Sequence, residues 1–202
     1  MKLYYSPASP FVRKVTVCAI ERGLDTRIER LPTKVLPSEP NRDYAKANPL
    51  MKVPALETDD GTVLFDSIVI CEYLDSLGNA PRLFPAEGAA RWRALRLHAL
   101  ADGILDAAVL TRYETFARPQ ELRWKAWIDG QLLKVDQALD VLEKSAGDLG
   151  QIDIGAVAVG CALGYLDFRY GERKWRDGRP KLAVWFERVA TRPSFASTVP
   201  QG

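Results

Sequence analysis

The stretch MKLYYSPASPFVRKVTVCAIER, Met1 to Arg22, frames the chain. Its apolar run Leu3 to Tyr5 predicts a short buried strand, which Ser6, Pro7 and Ala8 end. Ser9 stands before Pro10, and from Phe11 the residues Phe11, Val15, Cys18 and Ala19 fall near one face of a helix. Proline suits a first helical position, where its missing N–H has no partner to lose. That puts Ser9 at the N-cap, with its hydroxyl among the free N–H groups of the first turn. A serine there caps a helix whether or not anything binds. Such a turn also attracts negative charge, so a ligand reading needs a second feature downstream.

Moving outward, Gly23 suits the residue just past the helix. Thr26 to Leu31 alternates weakly and predicts a second strand, giving a parallel strand–helix–strand unit. Leu31 to Pro49 holds four prolines, Pro32, Pro37, Pro40 and Pro49. It reads as loop with a short helix near Asp43 to Ala47. Val53 to Glu57 reads as a strand entered through Pro54, which lacks a donor and belongs at an entrance or edge. Asp59-Asp60-Gly61 signals a hairpin, and Thr62 to Phe65 is its return. Asp66 and Ser67 then precede a helix over Ile68 to Leu77. This is the second feature: two helix starts with polar side chains on one small sheet, suited to a ligand with several negative groups.

Gly78 to Pro85 is rich in breakers, and strand signals cease beyond it. Helical spacing follows in Leu97, Leu100, Ala101, Ile104, Leu105 and Ala108, then in Ile128, Leu132, Val135, Leu139 and Leu142. Ile152 to Leu166 is apolar all round, as expected of the central helix of a bundle. Leu182, Trp185, Phe186 and Val189 make a last amphipathic face. Strands followed only by helices predict a small α/β domain over 1–78, a linker over 79–85 and an all-helical domain over 86–202.

The totals narrow the function. Lys and Arg outnumber Asp and Glu by only 28 to 26, which makes no general case for nucleic acid. Cys18, Cys71 and Cys161 are odd in number and far apart, so they form no metal spacing and read as reduced thiols. His98 is the one histidine; without a motif around it, it reads as a partly buried or surface helix residue. No metal site is expected. The run Ile154 to Leu166 is shorter than the ~20 residues a bilayer span needs. With no leader pattern before the first strand, a cytoplasmic protein is expected.

The arrangement resembles the glutathione transferase family across essentially the whole chain. SPFVRKV at Ser9 to Val15, NPLMKVPAL at Asn48 to Leu56, FDS at Phe65 to Ser67 and RLFP at Arg82 to Pro85 carry the likeness, in the right order. SPFVRK points to a bacterial, serine-type branch of uncharacterised members, similar around this serine to the tau and omega classes, although omega members carry cysteine there. The resemblance implies a thioredoxin-like domain followed by a helical bundle domain, glutathione as co-substrate, a homodimer and a detoxification role. Ser9 is implied to donate a hydrogen bond to the glutathione sulfur. Val53, before an implied cis Pro54, pairs with the cysteinyl part like an added strand. Asp66 and Ser67 hold the γ-glutamyl end, Asp66 being one methylene shorter than the commoner glutamate. Lys52, with Lys34 as a second candidate, approaches the glycyl end. Asp102 matches an aspartate that reaches the partner subunit's site in some classes. Where the family has Ser or Thr three residues before a buried aspartate, this chain has Gly150 before Asp153, so a weakened helix start is expected there.

The expected activity is conjugation of glutathione to a small electrophile. Thiol–disulfide exchange needs a cysteine in place of Ser9, and Cys18 reads as core. The other class is a non-catalytic ligand-binding or interaction module on the same fold. The basic stretch Arg169 to Lys181 is its candidate surface, although Glu172 and Asp177 interrupt it and favour a solvated loop. Leu100, Ile104, Ala108, Arg112, Tyr113 and Trp175 are candidates to line the electrophile's pocket.

Overall fold

Strand β1 (Lys2–Tyr5) feeds helix α1 (Pro10–Glu21), and β2 (Glu29–Pro32) returns parallel to β1, with Lys2 opposite Glu29 and Tyr5 opposite Pro32. The computed structural model describes residues 1–202. β2 starts later than the alternation predicts, because Asp25–Arg27 closes a 3-10 turn first. Gly23, at φ +69°, lets the chain reverse after α1 where a side chain would be strained. β3 (Ala55–Glu57) and β4 (Val63–Leu64) form the hairpin, and the sheet order is β2-β1-β3-β4. Helix α2 (Ser67–Leu77) follows.

β3 is antiparallel to both neighbours, with Tyr4 opposite Ala55 and Leu56 opposite Leu64. This pairing sets the geometry of everything functional. The end of β1, the start of β3 and the end of β4 must lie along one edge of the sheet. Helices α1 and α2 therefore both begin at that edge.

The second half is helical: α3 (Gly88–Arg112), a π turn over Tyr113–Ala117, α4 (Lys125–Lys144), α5 (Ile154–Tyr170), α6 (Pro180–Ala190) and α7 (Pro193–Ala196). α5 is buried along nearly its whole length and packs against α3, α1 and α6. At Gly160 a methyl group would sit 2.5 Å from the Phe195 ring, so that close approach requires glycine. Its start is not weak: Asp153 is itself the N-cap, with Oδ1 accepting from Ala156 N–H at 2.9 Å, while Arg93 pairs with Oδ2 at 3.1 Å. The absent Ser or Thr at position 150 is thus made good by the aspartate.

Helix α1 departs from the amphipathic reading. Val12 through Ala19 are all buried, including Arg13 and Lys14, because the sheet side and the helical side each cover a face. Arg13 donates to the Phe195 carbonyl at 3.1 Å and lies over the Phe195 ring. Lys14 is wholly buried and sends its ammonium to α3, 2.7 and 2.8 Å from the two Asp102 oxygens and 2.8 Å from His98 Nε2. Behind α1, buried Asp75 of α2 accepts from the Leu83 and Phe84 N–H groups and lies 3.1 Å from Arg22 Nε. The two halves of the chain are thus tied by buried ions as well as by apolar contact.

Candidate functional site

At the common sheet edge, Ser9 caps α1, and its Oγ accepts from Val12 N–H at 3.3 Å. That bond is long, and the hydroxyl keeps its own hydrogen to donate. Asp66 caps α2, accepting from Ile68 N–H at 3.2 Å, and Ser67 opens the helix at 2% exposure. Neither helix has an acidic residue in its first turn. The first turn of α1 therefore faces no carboxylate of its own, while that of α2 meets only its cap, Asp66, so N–H groups of both turns remain for a ligand.

Between the helix starts runs Met51 to Pro54. The Val53–Pro54 bond is cis, as is Phe65–Asp66. Tyr44 Oη and Asn48 Nδ2 both donate to the Lys52 carbonyl, at 2.7 and 2.8 Å, which fixes the approach to the bond. The Val53 N–H and C=O enter no backbone hydrogen bond, and the ladder starts only at Ala55. A ligand with a peptide backbone can extend the pairing there.

The opposite wall is α3. Burial raises the Asp102 and Asp106 carboxyls, and Asp66 across the groove raises both further. The Lys52 ammonium acts on Asp106 in the opposite sense. Asp66 and Lys52 therefore face this stretch of α3. Burial, then the Lys14 ammonium beside it, lower the His98 imidazole to about 3. His98 is neutral, so Nε2 accepts from Lys14 and Nδ1 carries the proton. Held this way it is no base for chemistry in the groove.

The edge brings together Ser9, Val53, Pro54, Asp66 and Ser67, with Lys52 beside them. Lys34 stands apart: it is exposed and pairs with Glu39 at 2.7 Å within its own loop. Asp102 is held within its own chain by Lys14, with 22% of its side chain exposed. Trp175 sits among α4, α5 and α6 residues, lining a small cavity with Val135, Leu139, Leu166 and Tyr170. It is buried, donates to Asp167 at 2.7 Å and packs edge-on against Phe186. Ile104 and Ala108 are likewise core. In the basic stretch, Arg173 pairs with Asp136, Arg176 with Asp167 and Arg179 with Asp140, so those cations bind helices rather than present a surface. Cys18, Cys71 and Cys161 are free and fully buried. Contact with Cys71, then burial, hold the Cys18 thiol well above its usual value, and burial pushes Cys161 up to about 12. None is a ready nucleophile. No group of side chains is arranged to hold a metal ion, and no helix is long and apolar enough to cross a membrane.

Two family models match: the glutathione S-transferase N-terminal domain over residues 8–77 and its C-terminal domain over 125–188. The chain belongs to the glutathione S-transferase family. The uncharacterized GST-like protein YibF of Escherichia coli K12 is 36% identical over 204 residues, covering 99% of this chain and 98% of that protein. A glutathione transferase family member from Pseudomonas fluorescens Pf-5, solved with bound glutathione, superposes with a TM-score of 0.97 at 46% identity, covering 100% and 99% of the two chains. A second structure from that organism holds S-(propanoic acid)-glutathione; its TM-score is 0.92 at 45% identity, with both chains covered in full. These transferase relatives bind glutathione, and the fold expected from the sequence is the one found.

Proposed function

We propose that this transferase-family chain binds glutathione along the sheet edge and conjugates it to a small electrophile. The observation that carries the reading is the junction of two capped helix starts, at Ser9 and Asp66, on either side of an unpaired Val53 backbone. The γ-glutamyl carboxylate sits at the α2 start with Ser67. Its ammonium faces Asp66, and Asp102 adds charge of the same sign from α3. The cysteinyl unit pairs with Val53, and Lys52 meets the glycyl carboxylate. In two relatives of the same fold, glutathione and S-(propanoic acid)-glutathione are bound, which supports this reading.

The sulfur then lies at Ser9. A thiol of pKa ~8.5 is only a few per cent ionised at neutral pH. Lowering it by ~2 units takes about 2.7 kcal/mol of preference for the thiolate. The Ser9 O–H and the α1 N-terminus both favour the charged form. The proton leaves to solvent. The sulfur lone pair then forms a bond to the electrophilic carbon, and the leaving group, or the π pair of an activated double bond, departs with the electrons. In the second case a proton from water completes the product. Holding both reactants in one groove supplies the remaining advantage.

Ser9→Ala is expected to lower kcat/KM roughly 10- to 100-fold, the worth of one hydrogen bond to a charged group. Losing the donor raises the thiol pKa, so the rising limb of the pH–rate profile moves to higher pH by roughly one to two units. Stopped-flow rates with a reactive aryl halide between pH 5.5 and 9 would show this. An unchanged rate and profile would remove Ser9 from the mechanism. A homodimer in the cytoplasm completes the proposal, supported by exposed Leu50, Val69 and Trp92 and by three reduced thiols.

A further inference from the structure

We propose that the buried Arg13 guanidinium acts through space on the glutathione sulfur, favouring the thiolate at Ser9 as the counter-charge that the protein itself does not give this cation. The inference deepens the glutathione reading above and rests on it. Arg13 is 7% exposed and lies one turn after Ser9 on α1, its N–H donating to the Ser9 carbonyl at 3.0 Å. Residues four apart share a helix face, and side chains there lean toward the N-terminus. The side chain accordingly reaches back to the turn that presents Ser9, and it lines a small polar cavity with Tyr5, Ser6, Pro7 and Thr198. That turn is closed by Ser9 N–H donating to the Ser6 carbonyl at 3.1 Å.

Arg13 differs from the other buried cations on and just after α1. Lys14 is held by Asp102, and Arg22 lies 3.1 Å from Asp75. Arg13 meets no carboxylate. Its Nη2 donates to the Phe195 carbonyl at 3.1 Å, its Nε faces Thr198 Oγ1 at 3.4 Å, and Nη1 has no hydrogen-bond partner. Gly164 of α5 leaves room for Nη1, where a methyl group would collide with it. The acids around α1 are engaged elsewhere: besides Asp102 and Asp75, Glu21 takes Arg192 and Ser194, and Asp66 caps α2. The titratable groups on the elements packed around Arg13 are Tyr5, across the cavity, and Cys161 of α5, while α7 brings none.

A buried guanidinium without a counter-ion is costly. An anion that forms one helical turn away offsets part of that cost. The field between them is little screened, because salt and water are kept from the guanidinium. Across about 10 Å, at an effective dielectric constant near ~20, a unit charge moves a pKa by roughly one unit. The sense is visible on a second thiol: burial pushes Cys161 up to about 12, while Arg13 acts on it toward the ionised form. On the glutathione sulfur the same field adds to the Ser9 hydrogen bond and the α1 N-terminus. The thiol proton goes to solvent, and the negative charge stays at Ser9.

The test follows the ultraviolet absorbance of bound glutathione thiolate against pH, with S-methylglutathione, which has no thiol to ionise, as the control ligand. Arg13→Gln is expected to raise the thiol pKa in the complex by roughly one unit, about a tenfold loss of thiolate at pH values below it, and Arg13→Lys to keep it near the wild-type value. Affinity for S-methylglutathione should stay within about twofold in each variant, which also shows that the site is folded. Thr198→Asp leaves Arg13 in place and gives it a carboxylate; it should raise the pKa in the same sense, and it reads the charge even if Arg13→Gln does not fold. An unchanged pKa in Arg13→Gln or Thr198→Asp, or one raised as far in Arg13→Lys as in Arg13→Gln, would overturn the Arg13 assignment alone. A folded wild type that binds neither glutathione nor its S-methyl form would overturn both readings.

Discussion

Lys14→Met should destabilise the protein by about 3–5 kcal/mol, the range for breaking a buried ion pair by removing one partner. Lys14 is completely buried and makes its three contacts at 2.7 to 2.8 Å, to both Asp102 oxygens and His98 Nε2. Methionine keeps the volume but leaves a mostly buried carboxylate and an imidazole without their donor. For a chain of this size each kcal/mol moves the melting temperature by roughly 2–4 °C, so a fall on the order of 10 °C is expected in calorimetry. Lys14→Met/Asp102→Leu should recover most of the loss, because no charge is then stranded. A fall of under 2 °C for the single variant would mean the pair is wet.

The same cluster has a pH signature. In the unfolded chain His98 takes up its proton near 6.5, whereas in the folded chain it stays neutral to about 3. Its contribution is therefore full above pH 6.5 and is lost as pH falls through that window, at about 1.4 kcal/mol per unit. Since it is the only histidine, its ring resonance can be followed alone. No titration should be seen between pH 8 and 5.

Asp75→Ala should cost about as much, roughly 4 kcal/mol, for a different reason. The two Asp75 oxygens accept the Leu83 and Phe84 N–H groups at 2.8 and 3.3 Å, and Oδ1 faces Arg22 at 3.1 Å. Alanine leaves two buried donors unsatisfied and a buried guanidinium without its counter-ion, although Arg22 keeps the carbonyls of residues 75 and 78; each loss costs about 1–3 kcal/mol. Asp75→Asn keeps one acceptor and should fall between wild type and alanine. Denaturant unfolding measures both. An alanine variant within 1 kcal/mol of wild type would mean the stretch from Gly78 to Pro85 is held by its apolar residues alone.

What the sequence made readable follows from range. Ser9-Pro10, Asp66-Ser67 and Asp60-Gly61 are local signals, each a cap or turn that needs only its neighbours, and each stands where it was expected. The sequence pattern starts a strand at Val53, but its peptide pairs with no backbone group and the ladder opens two residues later. Asp75 and Lys14 look like solvent-facing helix residues in a sequence; their partners lie 8 and 84 residues away. The surroundings of Trp175 and Lys34 are hidden for the same reason, since packing against Phe186 and pairing with Glu39 are contacts that no period encodes.

The most direct test is a calorimetric titration of glutathione into the wild type and Ser67→Ala. The account predicts saturable binding, with Kd between about 1 μM and 1 mM as for most enzyme ligands. It also predicts roughly tenfold or greater weakening when the Ser67 hydroxyl is lost from the carboxylate. No binding to a folded wild type would contradict it. The capped helix starts would then be structural alone, and the chain a transferase fold serving some other purpose.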